Sequence, residues 1–290
     1  MNRIVNVPCR YIRSLARQAL QGAWGEAVLL CLICFALLQI PAEIINNLPL
    51  NTFTAMLGYI VTFVTFAING PLTLSMGHYF LKVFRGEDHS IDDIRYGFTN
   101  LTRAMLLFIR IYFFTWLWSL LFIIPGIMAS LRYSQSYLIL SDDPTKTPKQ
   151  CMDESIFMMR GNLLKYFSLM LSYIGWMLIP AIPYFIWIFT NQAYLMEQIN
   201  TILSATTPEQ MMGVAINVPS WVIIAGGILS CPVTAYYTTA GVCFYDILFG
   251  NLVFERAPEE PEAAEPETAE APQDQIADEK SFFKDDDENK

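Results

Sequence analysis

The chain has 290 residues, of which 54% are hydrophobic and 16% are charged. A soluble domain carries about 25% charged residues, so this composition argues against a soluble globular protein and indicates a membrane protein. The formal net charge of −9 belongs to the C-terminal segment, because residues 255–290 hold 14 of the 27 acids and only four of the 18 Lys and Arg residues.

The first predicted element is a cytoplasmic amphipathic segment, residues 1–26. Its polar face carries Arg10, Arg13, Arg17 and Gln21. Apolar side chains recur at helical spacing on the opposite face, namely Tyr11, Ile12, Leu15, Ala19, Leu20 and Trp24. This pattern is typical of a helix that lies in the membrane interface.

Residues 27–250 are predicted to form a membrane domain of about six spans. A bilayer core of about 30 Å requires roughly 20 apolar residues per helix. Apolar runs occur at about 27–46, 53–84, 104–124, 126–140, 164–190 and 220–249. The predicted fold class is therefore all-α, a polytopic membrane helix bundle with cytoplasmic amphipathic helices.

The orientation of the bundle follows from the placement of Lys and Arg in short loops. The N-terminal segment, the loop after the second run, the 141–165 connection and the C-terminal tail each hold four bases. The 47–52 connection and the 191–219 loop hold none. Sixteen of the 18 bases thus fall on one side, which predicts that both termini are cytoplasmic.

Residues 104–140 allow two interpretations, because Pro125-Gly126 lies between two apolar runs. A single kinked helix would place the 141–165 connection outside the cell. Four bases in that connection favour a tight hairpin instead.

The chain also shows signs of a threefold internal repeat, in which each unit has an amphipathic segment, a helix out and a helix back. Gly22 precedes Pro41 by 19 residues, and Gly161 precedes Pro180 by the same number. The alternative is coincidence, because Pro is common in membrane helices.

Residues 251–290 form the third predicted region, an acidic cytoplasmic tail. It contains too few apolar residues to offset the entropy cost of ordering, so the prediction is a disordered segment.

Three charged residues are the candidate site. Arg110 and Arg132 are the two bases outside the loops, and Asp246 is the acid at a similar depth near the end of the last run. A charge within a span requires a partner or a wet cavity. Two interpretations remain open. In the first, the charges snorkel to the interface or form a buried ion pair, such as Arg132 with Asp246. In the second, they form a site for an anionic lipid headgroup or solute.

No catalytic, cofactor or metal site is predicted, and the protein is expected not to be an enzyme. The two histidines, His78 and His89, are eleven residues apart, so they cannot form a helical zinc pair. The adjacent carboxylates are expected to be solvated or to cap helices, namely Asp92/Asp93, Asp142/Asp143 and Asp153/Glu154.

Four stretches carry a resemblance to a known family. These are Leu20-Gln-Gly-Ala-Trp24, Ile124-Pro-Gly-Ile127, Phe244-Tyr-Asp-Ile-Leu248 and the distinctive run from Ser155 to Trp176. Taken in chain order, they resemble bacterial integral membrane proteins of the domain of unknown function 975 family. The resemblance covers roughly residues 10–250 and implies a location in the bacterial cell membrane. It implies no activity.

The sequence supports two hypotheses for the function. In the first, a non-enzymatic membrane protein acts as a scaffold or sensor and binds anionic lipid headgroups, with no nucleic-acid partner. In the second, a small-solute or lipid transporter uses the Pro-interrupted helices at Pro71, Pro180/Pro183 and Pro232. A polar cavity that reaches the middle of the bilayer between these breaks would favour the transporter.

Overall fold

The computed structural model describes residues 4–49, 51–204 and 218–250, and the predicted acidic tail 251–290 lies outside them. The described part is helical throughout, without strands. Its helices are α1 (Cys9–Ala19), α2 (Trp24–Asn46), α3 (Thr52–Arg85), α4 (Tyr96–Thr99, after the 3-10 turn Ile91–Arg95), α5 (Leu101–Leu121), α6 (Ile123–Tyr133), α7 (Ser136–Asp142), α8 (Pro148–Met159), α9 (Leu163–Leu171), α10 (Ile174–Met177), α11 (Ile182–Thr190), α12 (Gln192–Ser204) and α13 (Ser220–Phe249).

Local sequence explains where several of these helices begin and end. Asn51 and Thr54 form a capping box at the start of α3, and Gly86 ends that helix with a φ of 69°. Thr147 and Gln150 form the capping box of α8, with Pro148 in its first turn. Both arrangements satisfy backbone amides that have no partner inside the helix.

Four of the helices are long and apolar enough to cross a membrane, namely α2, α3, α5 and α13. The predicted spans 126–140 and 164–190 are helical but interrupted. The first breaks between Tyr133 and Ser136, where the backbone amide of Gln135 donates to the Ser155 hydroxyl at 3.2 Å. The second breaks before Ile174 and again around Pro180. The break at Pro180 arises because Pro lacks an amide and clashes with the preceding turn.

The predicted hairpin in residues 104–140 is formed. Phe122 is extended between α5 and α6, with φ −162° and ψ 156°. The two helices fold back so closely that a Cβ atom on Gly126 would lie 2.9 Å from the Ser119 Cα atom. Pro125 lies in the first turn of α6, where its missing amide costs no hydrogen bond.

The packing follows the predicted three-unit plan. Each amphipathic segment packs on the returning helix of the unit before it: α4 on α3, α8 on α7, and α1 on α13. Each outward helix also contacts the returning helix of the unit before it: α5 contacts α3, α9 contacts α6, and α2 contacts α13. The three units therefore form a closed ring. The matched Gly22 and Gly161 share one role, with φ values of 90° and 80° just before α2 and α9.

Burial is concentrated at one end of the bundle. In α3 the buried residues run from Gly70 to Val83, with Thr54 as the exception. In α13 most of them run from Cys231 to Leu248. The other end exposes large apolar side chains such as Phe63 and Ile123, which are more than 70% exposed. We call the well-buried end, where α3, α7 and α13 terminate, the packed end.

Candidate functional site

An ion-pair cluster joins the three returning helices at the packed end. Arg85, the last residue of α3, contacts Asp142 of α7 at 2.6 Å and Asp246 of α13 at 2.8 Å. The Tyr245 hydroxyl donates a hydrogen bond to Asp142 Oδ2 at 2.7 Å. The side chain of Asp246 is only 3% exposed, so the Arg85–Asp246 contact is a largely buried ion pair. We call these four residues the Arg85 clasp.

A second group of contacts lies beside the clasp, at Ser141, the residue before Asp142. The rings of His78 and Tyr96 stack with centroids 3.7 Å apart. His78 Nδ1 and the Ser141 hydroxyl are 2.9 Å apart, and the Tyr96 hydroxyl donates to the Ser141 carbonyl at 3.1 Å. These contacts fix the end of α7 against α3 and α4.

A cavity of about 320 Å³ lies between α3, α7, α9 and α13. Its lining contains Tyr166, Tyr237, Gln135 and several hydroxyl side chains, and it contains no charged residue. Leu138 and Val242, on its wall, are one turn from Asp142 and Asp246. At 1.5 Å per residue, the near and far ends of the cavity therefore lie about 6 and 18 Å from the clasp along the helices.

A second pocket, of about 350 Å³, contains two arginines. Arg132 of α6 and Arg160, in the turn before α9, line it together with Gly161 and the apolar side chains of Ile156, Met159 and Leu163. The amide end of α9, which begins at Leu163, belongs to the same wall. We call this site the two-arginine pocket.

Two buried polar residues position the arginines. The Ser155 hydroxyl donates to the Arg132 carbonyl at 2.6 Å, which ties α6 to α8. Asn162 accepts from the Val5 amide at 2.8 Å and donates to the Met158 carbonyl at 3.1 Å. Ser155 and Asn162 are fully buried, so the backbone on both sides of the pocket is held in place.

The structure separates the three predicted site residues. Asp246 lies in the Arg85 clasp, and among the described residues no salt bridge joins it to Arg110 or Arg132. The suggested Arg132–Asp246 pair is therefore replaced by Arg85–Asp246. Arg132 lines the two-arginine pocket, and Arg110 is exposed on α5 and lines neither of the two sites.

Sequence reasoning missed Arg85 and Asp142. Asp142 was expected to be solvated, whereas it accepts hydrogen bonds from both Arg85 and Tyr245. A signal was available: Arg85 follows Pro71 by 14 residues, and Asp246 follows Pro232 by the same number. Equivalent positions in repeated helices converge when the units form a ring. The expected capping role of Asp93 is confirmed, since its carboxylate accepts from the Ser90 amide at 3.0 Å.

The helical bundle and its long apolar helices define the class as an all-α membrane protein. The chain belongs to the family described as "Protein of unknown function (DUF975)", whose model matches residues 8–129 and 120–251. No curated protein and no solved structure is significantly similar to it.

Proposed function

We propose that the protein is a non-enzymatic, multi-pass protein of the bacterial cell membrane that binds anionic lipid headgroups in the two-arginine pocket. In this proposal the chain crosses the membrane six times, with α6–α7 and α9–α11 as the two interrupted crossings, and both termini are cytoplasmic. The distribution of Lys and Arg over the loops supports this orientation.

The observation that carries the proposal is the chemistry of the pocket. Among the described residues, no salt bridge neutralises Arg132. The positive end of the α9 dipole adds to the charge of the Arg132 guanidinium group. Guanidinium groups bind phosphate oxygens through paired hydrogen bonds. The same pocket thus offers a site for a phosphate next to an apolar wall.

The apolar surroundings favour a lipid over a soluble anion. Ile156, Met159 and Leu163 form the wall next to the arginines. Leu164 and Phe157, their neighbours along the chain, are 81% and 46% exposed. An acyl chain that leaves the pocket would therefore cover apolar surface while its phosphate stays on the arginines.

We expect Arg132→Gln to weaken the binding of phosphatidylglycerol about fivefold, and Arg132→Gln with Arg160→Gln about thirtyfold. Each arginine near the membrane surface contributes about 1 kcal/mol to the attraction of an anionic lipid. Binding is measured by native mass spectrometry of the full chain released from nanodiscs that contain phosphatidylglycerol and phosphatidylcholine.

The matched control is Arg95→Gln, which removes the same charge from a side chain that is 81% exposed and lies outside the pocket. Equal lipid retention by the double variant and the native chain would contradict the proposal. An equal loss in the Arg95→Gln control would mean that bulk charge, and not the pocket, holds the lipid. Displacement of the lipid by inorganic phosphate would identify a soluble anion as the ligand.

A specific observation favours a second candidate, a small-solute or lipid transporter. The helices predicted to be interrupted at Pro71 and Pro232 are continuous, since both prolines lie inside α3 and α13. The neutral cavity lies close to these two prolines, since Thr73 and Tyr237 line it. Uptake of a solute by proteoliposomes that contain the purified chain, abolished by filling the cavity with Gly241→Leu, would support transport over a purely lipid-binding role.

A further inference from the structure

The cavity occupies the place of a missing helix–helix interface. α3 packs against both α7 and α13, whereas α7 and α13 are not in extensive backbone contact with each other. In a ring of three similar units, the third contact between returning helices is expected. Here the cavity of about 320 Å³ separates them, and we call this gap between α7 and α13 the seam.

The cavity wall is polar in part and uncharged. Its polar side chains are Thr73, Ser134, Gln135, Tyr137, Tyr166, Tyr237 and Thr238. Met76, Leu138 and Val242 form the apolar part of the wall. A charged ligand would lose its hydration here without gaining a counter-charge. The wall therefore fits a neutral molecule that combines hydrogen-bonding groups with apolar surface, as a small polyhydroxy molecule does.

Two residues of the wall hold buried polar atoms that have no partner within the described part of the chain. Gln135 is 1% exposed, and its amide nitrogen donates to the Ser134 hydroxyl at 2.9 Å while its Oε1 has no partner. Exchanging the amide oxygen and nitrogen leaves the nitrogen unpaired instead, because no hydrogen-bond partner reaches that position. The Tyr137 hydroxyl also has no partner. Buried polar groups normally have one.

The size of the cavity limits the ligand. It is about twice the volume of an engineered 150 Å³ cavity that accepts benzene, so it has room for roughly a dozen non-hydrogen atoms. This matches a molecule the size of a single sugar.

The Arg85 clasp bridges the seam at the packed end. Arg85 comes from α3 and reaches Asp142 on α7 and Asp246 on α13, and Tyr245 of α13 donates directly to Asp142 of α7. These side chains lie one to two turns beyond the cavity on the same helices. Loss of the clasp would remove the contacts that hold α7 and α13 together at this end.

We propose that the cavity in the seam binds a small neutral polyhydroxy molecule and that the Arg85 clasp closes the seam at the packed end. The site is distinct from the two-arginine pocket and does not depend on the lipid-binding proposal. The proposed ligand site is compatible both with a protein that only binds its ligand and with one that transports it.

The test is the labelling of a cysteine placed in the cavity, Thr238→Cys, in the purified full-length chain. The probe is N-ethylmaleimide, which is small and neutral, and the labelled sites are resolved by peptide mass spectrometry. Two native thiols serve as internal controls. Cys243 is fully buried on the same helix, and burial raises the pKa of Cys151 to about 11, which keeps that thiol protonated and unreactive.

We expect the thiol introduced by Thr238→Cys to react faster than Cys243, and Arg85→Gln to increase its labelling about tenfold through a shift toward the open seam. Glucose, with twelve non-hydrogen atoms, should slow the labelling about threefold at a concentration of twice its Kd. Glutamate, which is charged and of similar size, should not slow it.

Four results would overturn the inference. Labelling as slow as that of Cys243 would mean that the cavity is closed to solutes. Equal slowing by glutamate would mean that the cavity does not select a neutral ligand. No slowing by glucose would mean that the cavity holds water only. If Arg85→Gln raised the labelling of Cys243 equally, the helix ends would have unfolded. The milder Tyr245→Phe variant then provides the test of the clasp. Unchanged labelling of the introduced thiol in that variant would reject the clasp.

Discussion

Replacing Arg85 with Gln is expected to lower the free energy of unfolding in detergent micelles by about 3 kcal/mol, because removing one partner of a buried ion pair is strongly destabilising. Asp246, 3% exposed, would lose the guanidinium that lies 2.8 Å away. Asp142 is less affected, because it is 18% exposed and retains the Tyr245 hydroxyl. Equilibrium unfolding in mixed micelles of increasing denaturing-detergent content measures the change.

The matched control is Arg95→Gln, whose side chain is 81% exposed and 3.9 Å from Asp92. An exposed pair contributes about 0–1 kcal/mol, so little change is expected there. The double variant Arg85→Gln with Asp246→Asn should be more stable than the sum of its single changes predicts, because the two side chains are in direct contact and each single change already removes their interaction. Strict additivity would show that the two residues do not interact energetically.

Gly97→Ala is expected to destabilise the protein by about 2–3 kcal/mol through overpacking. Gly97 is buried where α4 crosses α3, and its amide donates to the Ser75 hydroxyl at 2.9 Å. An added Cβ atom would overlap the Pro71 carbonyl oxygen and lie 2.6 Å from the Ser75 hydroxyl oxygen. Ser75 is fully buried, and its hydroxyl donates a hydrogen bond to the Ile94 carbonyl, so the side chain cannot move away from the added methyl group.

Gly25→Ala provides the control for Gly97→Ala. Gly25 is also helical, and a Cβ atom there would meet nothing within 4 Å. This change should be neutral or stabilise the protein by up to about 1 kcal/mol, since Ala favours helices over Gly. Equal stability of the two variants would show that α4 does not pack against α3 in the way described.

Much of the fold was predictable because its signals are local. Apolar runs marked the long helices, and Thr147-Pro148 marked the start of α8. Gly22 and Gly161 marked equivalent turns in two units. The interruption at Ser134–Gln135 was not predictable, because it depends on the hydroxyl of Ser155, which lies 20 residues away on another helix.

The candidate site was harder to predict, because its members come from distant parts of the chain. Arg85 and Asp246 are 161 residues apart, and their pairing requires that α3 and α13 end at the same place. Arg85 also looked like an ordinary base in a cytoplasmic loop. Arg132 was predicted as a site residue from its depth in the span alone. The position of Arg160 beside it depends on the packing of α8 on α6, which the sequence does not show.

The most direct measurement of the proposed topology is the labelling of single introduced cysteines in intact cells with a membrane-impermeant maleimide. Asn47, Asp92 and Thr145 are exposed in the structure and lie in three different connections. The proposal places Asn47 outside the cell and the other two positions in the cytoplasm, so Asn47→Cys should be labelled while Asp92→Cys and Thr145→Cys react only after the membrane is permeabilised. Labelling of Thr145→Cys in intact cells would contradict the six-span topology, because α5 and α6–α7 would then not form two separate crossings.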